Sequence, residues 1–383
     1  MARVPVQRAG TLGPTLPKGA SETVPTFRSD IASIPRYVPG RPIDEVAREL
    51  GITSIDKLAS NECPVEPFPE VLAAIAAGST GLNRYPDSAG YELTQAIADH
   101  HGVPPEAVWI GAGSSEILRC TALSVGGPGT SAVFAHPSFV MYTIGTKLSH
   151  AESITVPLDH AYNHDLDAMA DAIRTDTTLV YVCNPNNPTG GIRSGVDVRR
   201  FVESVPERVT VVIDEAYAEY VTDASYASFL EASLEFPNVL VARTFSKIYG
   251  LAGLRIGFGV GDPSLVGTLR TSQAPFTVNS LAQVGALEAL RHPARVAERR
   301  DDNEIGRRVL TEGLGDLGYR PAPSEANFVY FEPDVGPAEL ADALLHRGEI
   351  VRVLGKGIRV TVGTDDENHR FLEALQAIGT NDA

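Results

Sequence analysis

The sequence predicts an α/β protein with a large domain built on a mostly parallel sheet and a smaller α+β domain. Three observations lead there. From Ile31 onward, short apolar runs alternate with stretches of helical spacing. The runs are apolar at consecutive positions, as strands covered by helices on both faces must be. Near Pro275–Ser280 this alternation stops, and a long helical stretch leads into closely spaced short strands.

In chain order, the strands of the large domain are expected at Ala107–Ile110, Ser131–Ala135, Thr178–Cys183, Val209–Ile213, Val239–Ala242 and Ile256–Val260. Helical spacing fills the gaps, as at Tyr91, Leu93 and Ile97, or Ile117, Leu118 and Leu123. Leu281–Leu317 reads as a long helical stretch broken at Pro293, because proline cannot continue a helix. Strand-like Ala326–Phe331, a helix around Pro337–Arg347, and strands Ile350–Val353 and Ile358–Val362 follow. These expectations place an N-terminal arm at 1–30, the first part of the small domain at 31–80, the large domain at 81–285 and the rest of the small domain at 286–383. The arm is rich in Pro, Gly, Thr, Ser and Arg with no apolar period, and it lacks the apolar core of a secretory signal. No internal repeat is visible.

At 383 residues, 43% hydrophobic and 21% charged, the chain has ample material for a buried core. The net charge of −16 is spread along the chain, which argues against nucleic acid or an anionic membrane as partner. No apolar run reaches the length of a membrane span. Cys63, Cys120 and Cys183 are an odd number, far apart and without metal-ligand spacing, so a reduced, cytoplasmic protein with no metal site is expected.

Ligand groups in α/β sheets gather where strands end at their carboxyl side, so each strand exit is informative. The first is Gly111-Ala112-Gly113-Ser114-Ser115-Glu116, a glycine turn opening a helix. Such a turn can cradle an anion on helix N–H groups, although a plain Ser-capped turn has the same appearance. The second exit, Ala135-His136-Pro137-Ser138-Phe139-Val140-Met141-Tyr142, presents an aromatic ring, Phe139, that could stack on a planar ligand or simply belong to the core. The third, Asn184-Pro185-Asn186-Asn187-Pro188-Thr189-Gly190-Gly191, is a rigid turn able to hold an amide in a fixed pose, with Asn187–Pro188 a candidate cis bond. The fourth is Asp214-Glu215-Ala216-Tyr217, where a carboxylate ends an apolar strand. That placement is costly unless a cation or donor, such as a protonated pyridine nitrogen, meets it. The fifth runs from Arg243-Thr244-Phe245-Ser246-Lys247 to Gly253-Leu254-Arg255. A lysine between apolar segments, beside two hydroxyls and near an arginine, suits a Schiff base next to a bound phosphate. Burial and neighbouring positive charge both keep such an amine neutral.

Together these segments resemble the fold-type I pyridoxal-phosphate (PLP) aminotransferases, and above all the histidinol-phosphate aminotransferase family with its relatives acting on aromatic amino acids. The resemblance runs from Ile34 to Leu375. It rests on Ile34-Pro35-Arg36-Tyr37-Val38-Pro39-Gly40, Leu58-Ala59-Ser60-Asn61-Glu62, Asn83-Arg84-Tyr85-Pro86-Asp87, the NPNNPTG turn, the DEAY exit, the RTFSK…GLAGLRIGF stretch and Arg359-Val360-Thr361-Val362-Gly363.

The resemblance implies a homodimeric transaminase that uses glutamate and 2-oxoglutarate as one couple. It makes Lys247 the Schiff-base lysine and proton carrier, and Asp214 the partner of the pyridine nitrogen. Asn187 and Tyr217 would bond the ring's 3-oxygen, while Phe139 lies on the ring face. Ser114, Ser115, Thr244, Ser246 and Arg255 would hold the phosphate, joined by Tyr85 from the other subunit. Arg359 would clamp the substrate anion, with Tyr37 and Arg352 lining the same pocket. Two positions depart from the family pattern: Cys63 stands where relatives often carry Asn, and Ser115 where many carry Asp. Histidinol phosphate is the first expectation for the second couple, and an aromatic amino acid the alternative. A decarboxylase of threonine phosphate on the same scaffold would share Lys247 and Asp214. A DNA-binding regulator would need a basic module ahead of the fold, and residues 1–30 are too short for one. Gly257-Phe258-Gly259 is no dinucleotide fingerprint.

Overall fold

The computed structural model describes residues 31–34 and 40–379. In chain order its strands are β1 (Asp56–Lys57), β2 (Val108–Gly111), β3 (Ser131–His136), β4 (Glu152–Pro157), β5 (Thr177–Cys183), β6 (Thr210–Asp214), β7 (Val239–Thr244), β8 (Gly257–Gly261), β9 (Phe328–Phe331), β10 (Glu349–Ile350), β11 (Arg352–Leu354) and β12 (Gly357–Thr361). Seven form one sheet in the order β2-β8-β7-β6-β5-β3-β4. The pairs among β7, β6, β5, β3 and β4 are parallel, and β8 runs antiparallel to both of its neighbours. The carboxyl ends of β2, β3, β5, β6 and β7 therefore share one edge, where all five exits meet.

The central strands are buried on both faces, which is why they read as unbroken apolar runs. Val211, Val212 and Ile213 of β6, and Val239, Leu240 and Val241 of β7, are fully inaccessible to solvent. Burying each such side chain contributes about 1.5–3 kcal/mol, enough together to offset holding a polar residue at the strand end. The sequence expectation omitted β4. It lies at the sheet edge with mostly accessible residues and lacks the apolar continuity of a central strand.

The smaller unit carries an antiparallel sheet in the order β11-β12-β9 and the parallel pair β1–β10. Expected strand Ile350–Val353 is in fact two: Ile350 pairs with Lys57, whereas Arg352 pairs with Arg359. This unit has its own core, in which Leu310, Leu314, Phe331, Ile358, Val360 and Phe371 pack together. The long helical stretch breaks as expected, into helices Ser280–Leu290 and Pro293–Asp316. Among the described residues, no helix is long and apolar enough to cross a membrane.

A buried ion pair ties the exits of β6 and β7 together. Glu215 accepts hydrogen bonds from Arg243 (2.7 Å), from the Ser228 hydroxyl (2.8 Å) and from the Phe229 amide (2.6 Å). Arg243 also reaches Glu219 at 2.9 Å. Removing one partner strands the other charge in the interior. Arg243→Ala is thus expected to cost about 3–5 kcal/mol in urea unfolding. Loss of the solvent-exposed Arg174, which also makes ion pairs, should leave the unfolding midpoint unchanged.

Candidate active site

A cavity of about 440 Å³ opens at the shared strand edge, between the two units. Of the residues expected at the site, Ser114, Ser115, Phe139, Asn187, Asp214, Tyr217, Thr244, Ser246, Lys247, Arg255, Arg352 and Arg359 all line it. Two do not. Tyr85 is 81% exposed outside the cavity, its ring stacked on Phe276 with centroids 4.6 Å apart. Tyr37 lies outside the described residues.

Asp214 sits at the end of β6 and is 2% exposed. Tyr142 donates its hydroxyl hydrogen to Oδ2 at 2.8 Å, and the Ala216 amide donates to Oδ1 at 3.2 Å. Among the described residues no cation pairs with this carboxylate directly. Burial pushes its pKa up to about 6, against the pull of the Tyr142 hydroxyl, the Ala216 amide and the more distant Lys247. Tyr142 was legible only as a residue of the second exit, because its contact crosses from the helix after β3 to the end of β6.

Lys247 follows β7, and its Nζ lies 3.4 Å from the Ser60 carbonyl oxygen and 5.5 Å from the Tyr217 ring centre. Burial depresses the amine's pKa to about 7, and the positive charges of Arg359 and Arg255 push the same way. A lysine in this state is a nucleophile and a base near neutral pH.

The anion cradle is built by glycines. The helix Ser114–Val125 starts after Gly113, which has φ +79° and no side-chain cap behind it, so its first N–H groups remain available as donors. A Cβ on Gly113 would stand 2.7 Å from a guanidinium nitrogen of Arg255, so that cation lies directly over the turn. A Cβ on Gly257 would meet the Ser114 nitrogen at 2.6 Å, so β8 can pass the helix start only as glycine. The Thr244 hydroxyl accepts from the Ser246 amide at 3.1 Å and bonds the Ser246 hydroxyl at 2.9 Å, fixing both on the same wall.

The Asn-Pro turn does hold an amide. Asn184 and Arg193 exchange side-chain and backbone bonds at 3.0 and 2.8 Å, and Asn186 accepts from Ser138 at 2.8 Å. The cis bond, however, is Asn184–Pro185 and not Asn187–Pro188, and His136–Pro137 is also cis. The turn is anchored at its first Asn, whose backbone N–H bonds the Asp214 carbonyl at 3.0 Å; Asn187 is left to face the cavity. Its Oδ1 accepts from Arg359, and Arg359 also donates to the Ala59 carbonyl at 2.7 Å. Arg352 stands opposite Arg359 in the β11–β12 register, which puts two guanidinium groups on one side of the cavity.

This constellation fits PLP by its donor set. It has a buried carboxylate that no cation meets directly among the described residues, a lysine whose pKa burial lowers to about 7, hydroxyl and amide donors, and an uncapped helix start under an arginine. Fold and site together define a PLP-dependent transferase. Residues 54–375 match the aminotransferase class I and II model, and the chain belongs to that family. It is 43% identical to histidinol-phosphate aminotransferase of Moorella thermoacetica over 362 residues, covering 93% of this chain and 94% of that one. To histidinol-phosphate aminotransferase 1 of Cupriavidus pinatubonensis it is 42% identical over 363 residues, covering 92% and 96%. The solved histidinol-phosphate aminotransferase of Sinorhizobium meliloti in complex with pyridoxal-5'-phosphate superposes with a TM-score of 0.88 at 27% identity, covering 95% of this chain and all of that one.

The depressed pKa of Lys247 has a direct readout. In cofactor-free protein, acylation of Lys247 followed by mass spectrometry should rise with pH through a midpoint near 7, and Arg359→Gln should move that midpoint upward. A midpoint at the ordinary lysine value would show that the pocket does not keep the amine neutral.

Proposed function

We propose that the chain is a PLP-dependent histidinol-phosphate aminotransferase, with glutamate and 2-oxoglutarate as the other couple. The observation that carries this reading is the pairing of Arg352 with Arg359 beside the lysine, which suits an anion carrying more charge than one carboxylate. The curated relatives' names support it.

When bound, the cofactor supplies an electron sink for the pair left at the substrate's Cα. The residues do the rest. Asp214 would face the ring nitrogen and favour its protonated form, since among the described residues no cation pairs directly with its buried carboxylate. Lys247 would carry the cofactor linkage and then move the proton from Cα. Asn187 and Tyr217 would donate to the 3-oxygen, and Phe139 would cover the ring face. Ser114, Ser115, Thr244, Ser246 and Arg255 would hold the phosphate. Arg359 would bind the substrate anion through its planar fork, with Arg352 as the second cation and Tyr37 beside them. Tyr85, exposed in its own chain, would complete the phosphate site of the partner subunit in a homodimer. The two-domain division near residues 80 and 285 and a cytoplasmic location belong to the same reading. Separate cores for the two sheets support a division into two units, but Phe68 and Val71 before residue 80, and Ala286, Ala289 and Leu290 after residue 285, pack in the larger core, so the cuts belong on the outer side of these segments.

Histidinol phosphate has no α-carboxylate, so its phosphate ester must sit where glutamate puts a carboxylate. A second cation should help the phosphate more. Arg352→Gln is expected to cost histidinol phosphate about 1–2 kcal/mol more in kcat/KM than it costs glutamate, the scale of one charge-assisted hydrogen bond. Arg359→Lys should damage both, because an ammonium cannot reproduce the fork. A wild-type preference for phenylalanine of about tenfold or more in kcat/KM would instead support the aromatic alternative.

Shared sites make a second prediction. Mixing Lys247→Ala with Tyr85→Ala, each inactive as a homodimer, yields a heterodimer with one doubly defective site and one intact site. Activity should return on subunit exchange. Confirmed exchange without recovery would mean that each site is built within one chain.

A further inference from the structure

Asn61 is absent from the set of side chains given roles above, yet it is fully buried, lines the cavity and has φ +53°. That left-handed conformation is tolerated by Asn better than by most residues, and here it turns the side chain into a directed relay. The Asn61 amide N–H donates to the Thr361 hydroxyl oxygen at 3.0 Å. The Thr361 hydroxyl hydrogen goes to Asn61 Oδ1 at 3.3 Å. With its oxygen facing a donor, the side-chain amide presents Nδ2 on its other side, where it donates to the Tyr217 hydroxyl oxygen at 2.9 Å. The Asn327 side chain holds the Asn61 carbonyl at 3.2 Å, so the relay is fastened to the segment leading into β9.

The consequence lies in the direction of one hydrogen. An amide N–H occupies a lone pair of the Tyr217 oxygen and cannot accept, so the phenolic hydrogen must point elsewhere. Among the described residues no group accepts it, and Tyr217 lines the cavity. We propose that Asn61 is a positioning residue that, through Tyr217, sets the hydrogen-bond donor facing the cofactor's 3-oxygen.

This deepens the proposed function and rests on its assignment of Tyr217 to the cofactor. The charged and titratable groups around Tyr217 are Arg359 and Asp214, the Cys183 thiol and Lys247. Burial raises the phenol's pKa, while Arg359 and the Asn61 hydrogen bond draw it back down. Without Asn61, Tyr217 is a weaker donor and its hydrogen is free to turn toward the space the amide leaves. An anionic 3-oxygen is then less well stabilised, and the pH at which the bound cofactor's visible absorption titrates should rise.

The test is the pH titration of that absorption in substrate-free holoenzyme. Asn61→Gly keeps the left-handed backbone and removes the amide; Asn61→Asp keeps the shape and removes the donor. Both should shift the titration midpoint upward, Asn61→Gly by roughly 0.4 to 1 pH unit, the equivalent of one hydrogen bond. Asn61→Gly should add nothing in a Tyr217→Phe background. Unshifted midpoints, or a shift that persists in full without the phenol, overturn the inference. If Asn61→Gly does not fold, Asn61→Asp alone decides by the same criterion. A Tyr217→Phe spectrum that titrates like wild type would overturn the assignment of Tyr217 itself, and this inference with it. A shift in Tyr217→Phe but none in the Asn61 variants leaves the assignment standing and removes only the relay.

Discussion

A carboxylate buried at the end of an apolar strand constrains the rest of this molecule. Asp214 is sealed beneath the cavity with, among the described residues, two donors, the Tyr142 hydroxyl and the Ala216 amide. Two hydrogen bonds do not compensate a full charge taken out of water, so the site is built to receive a cation. The flanking strands β5 and β7 give that carboxylate its address. Their apolar packing holds β6 in register, and their exits deliver Asn187 and Lys247 to the same edge. The family's PLP chemistry needs that arrangement, because a ring held positive at its nitrogen withdraws electrons from the substrate.

A protein with net charge −16 nonetheless concentrates cations in its cavity. Arg255 caps the helix turn, while Arg359 and Arg352 stand side by side on the small unit. In the proposed function these charges would bind anions, and Arg359 and Arg255 add to burial in lowering the pKa of Lys247. Lys57 and Glu62, paired at 2.9 Å, also line the cavity and balance each other there. One set of arginines would thus serve binding and nucleophile activation together.

Residues at strand exits were legible in the sequence because a buried parallel strand announces its own end: the apolar run stops and the chemistry begins. Asp214, Asn187 and Lys247 could be read that way. Arg359 and Arg352 came from the family resemblance, since two arginines on neighbouring short strands carry no local signal until the hairpin register pairs them. Tyr142 and Asn61 had no local signal for their contacts, which span 72 and 156 residues of chain. Asn61 lies in one of the segments that carry the family resemblance, but its left-handed backbone, which aims the side chain, is not written in composition. Strand β4 escaped for the opposite reason to β6, since an exposed edge strand does not need an apolar run. The cis bond falls at Asn184 and not Asn187, and Asn184 is also the residue whose side chain exchanges bonds with Arg193.

In the proposed function the buried charge of Asp214 drives the chemistry, beyond shaping the pocket. Asp214→Asn preserves size and hydrogen bonding but removes the charge. With cofactor retained, its single-turnover rate with saturating glutamate should fall by about 100-fold or more, the scale of one lost preorganised electrostatic partner. A rate within about threefold of wild type, less than 1 kcal/mol in barrier height, would show that the charge is dispensable and contradict the account.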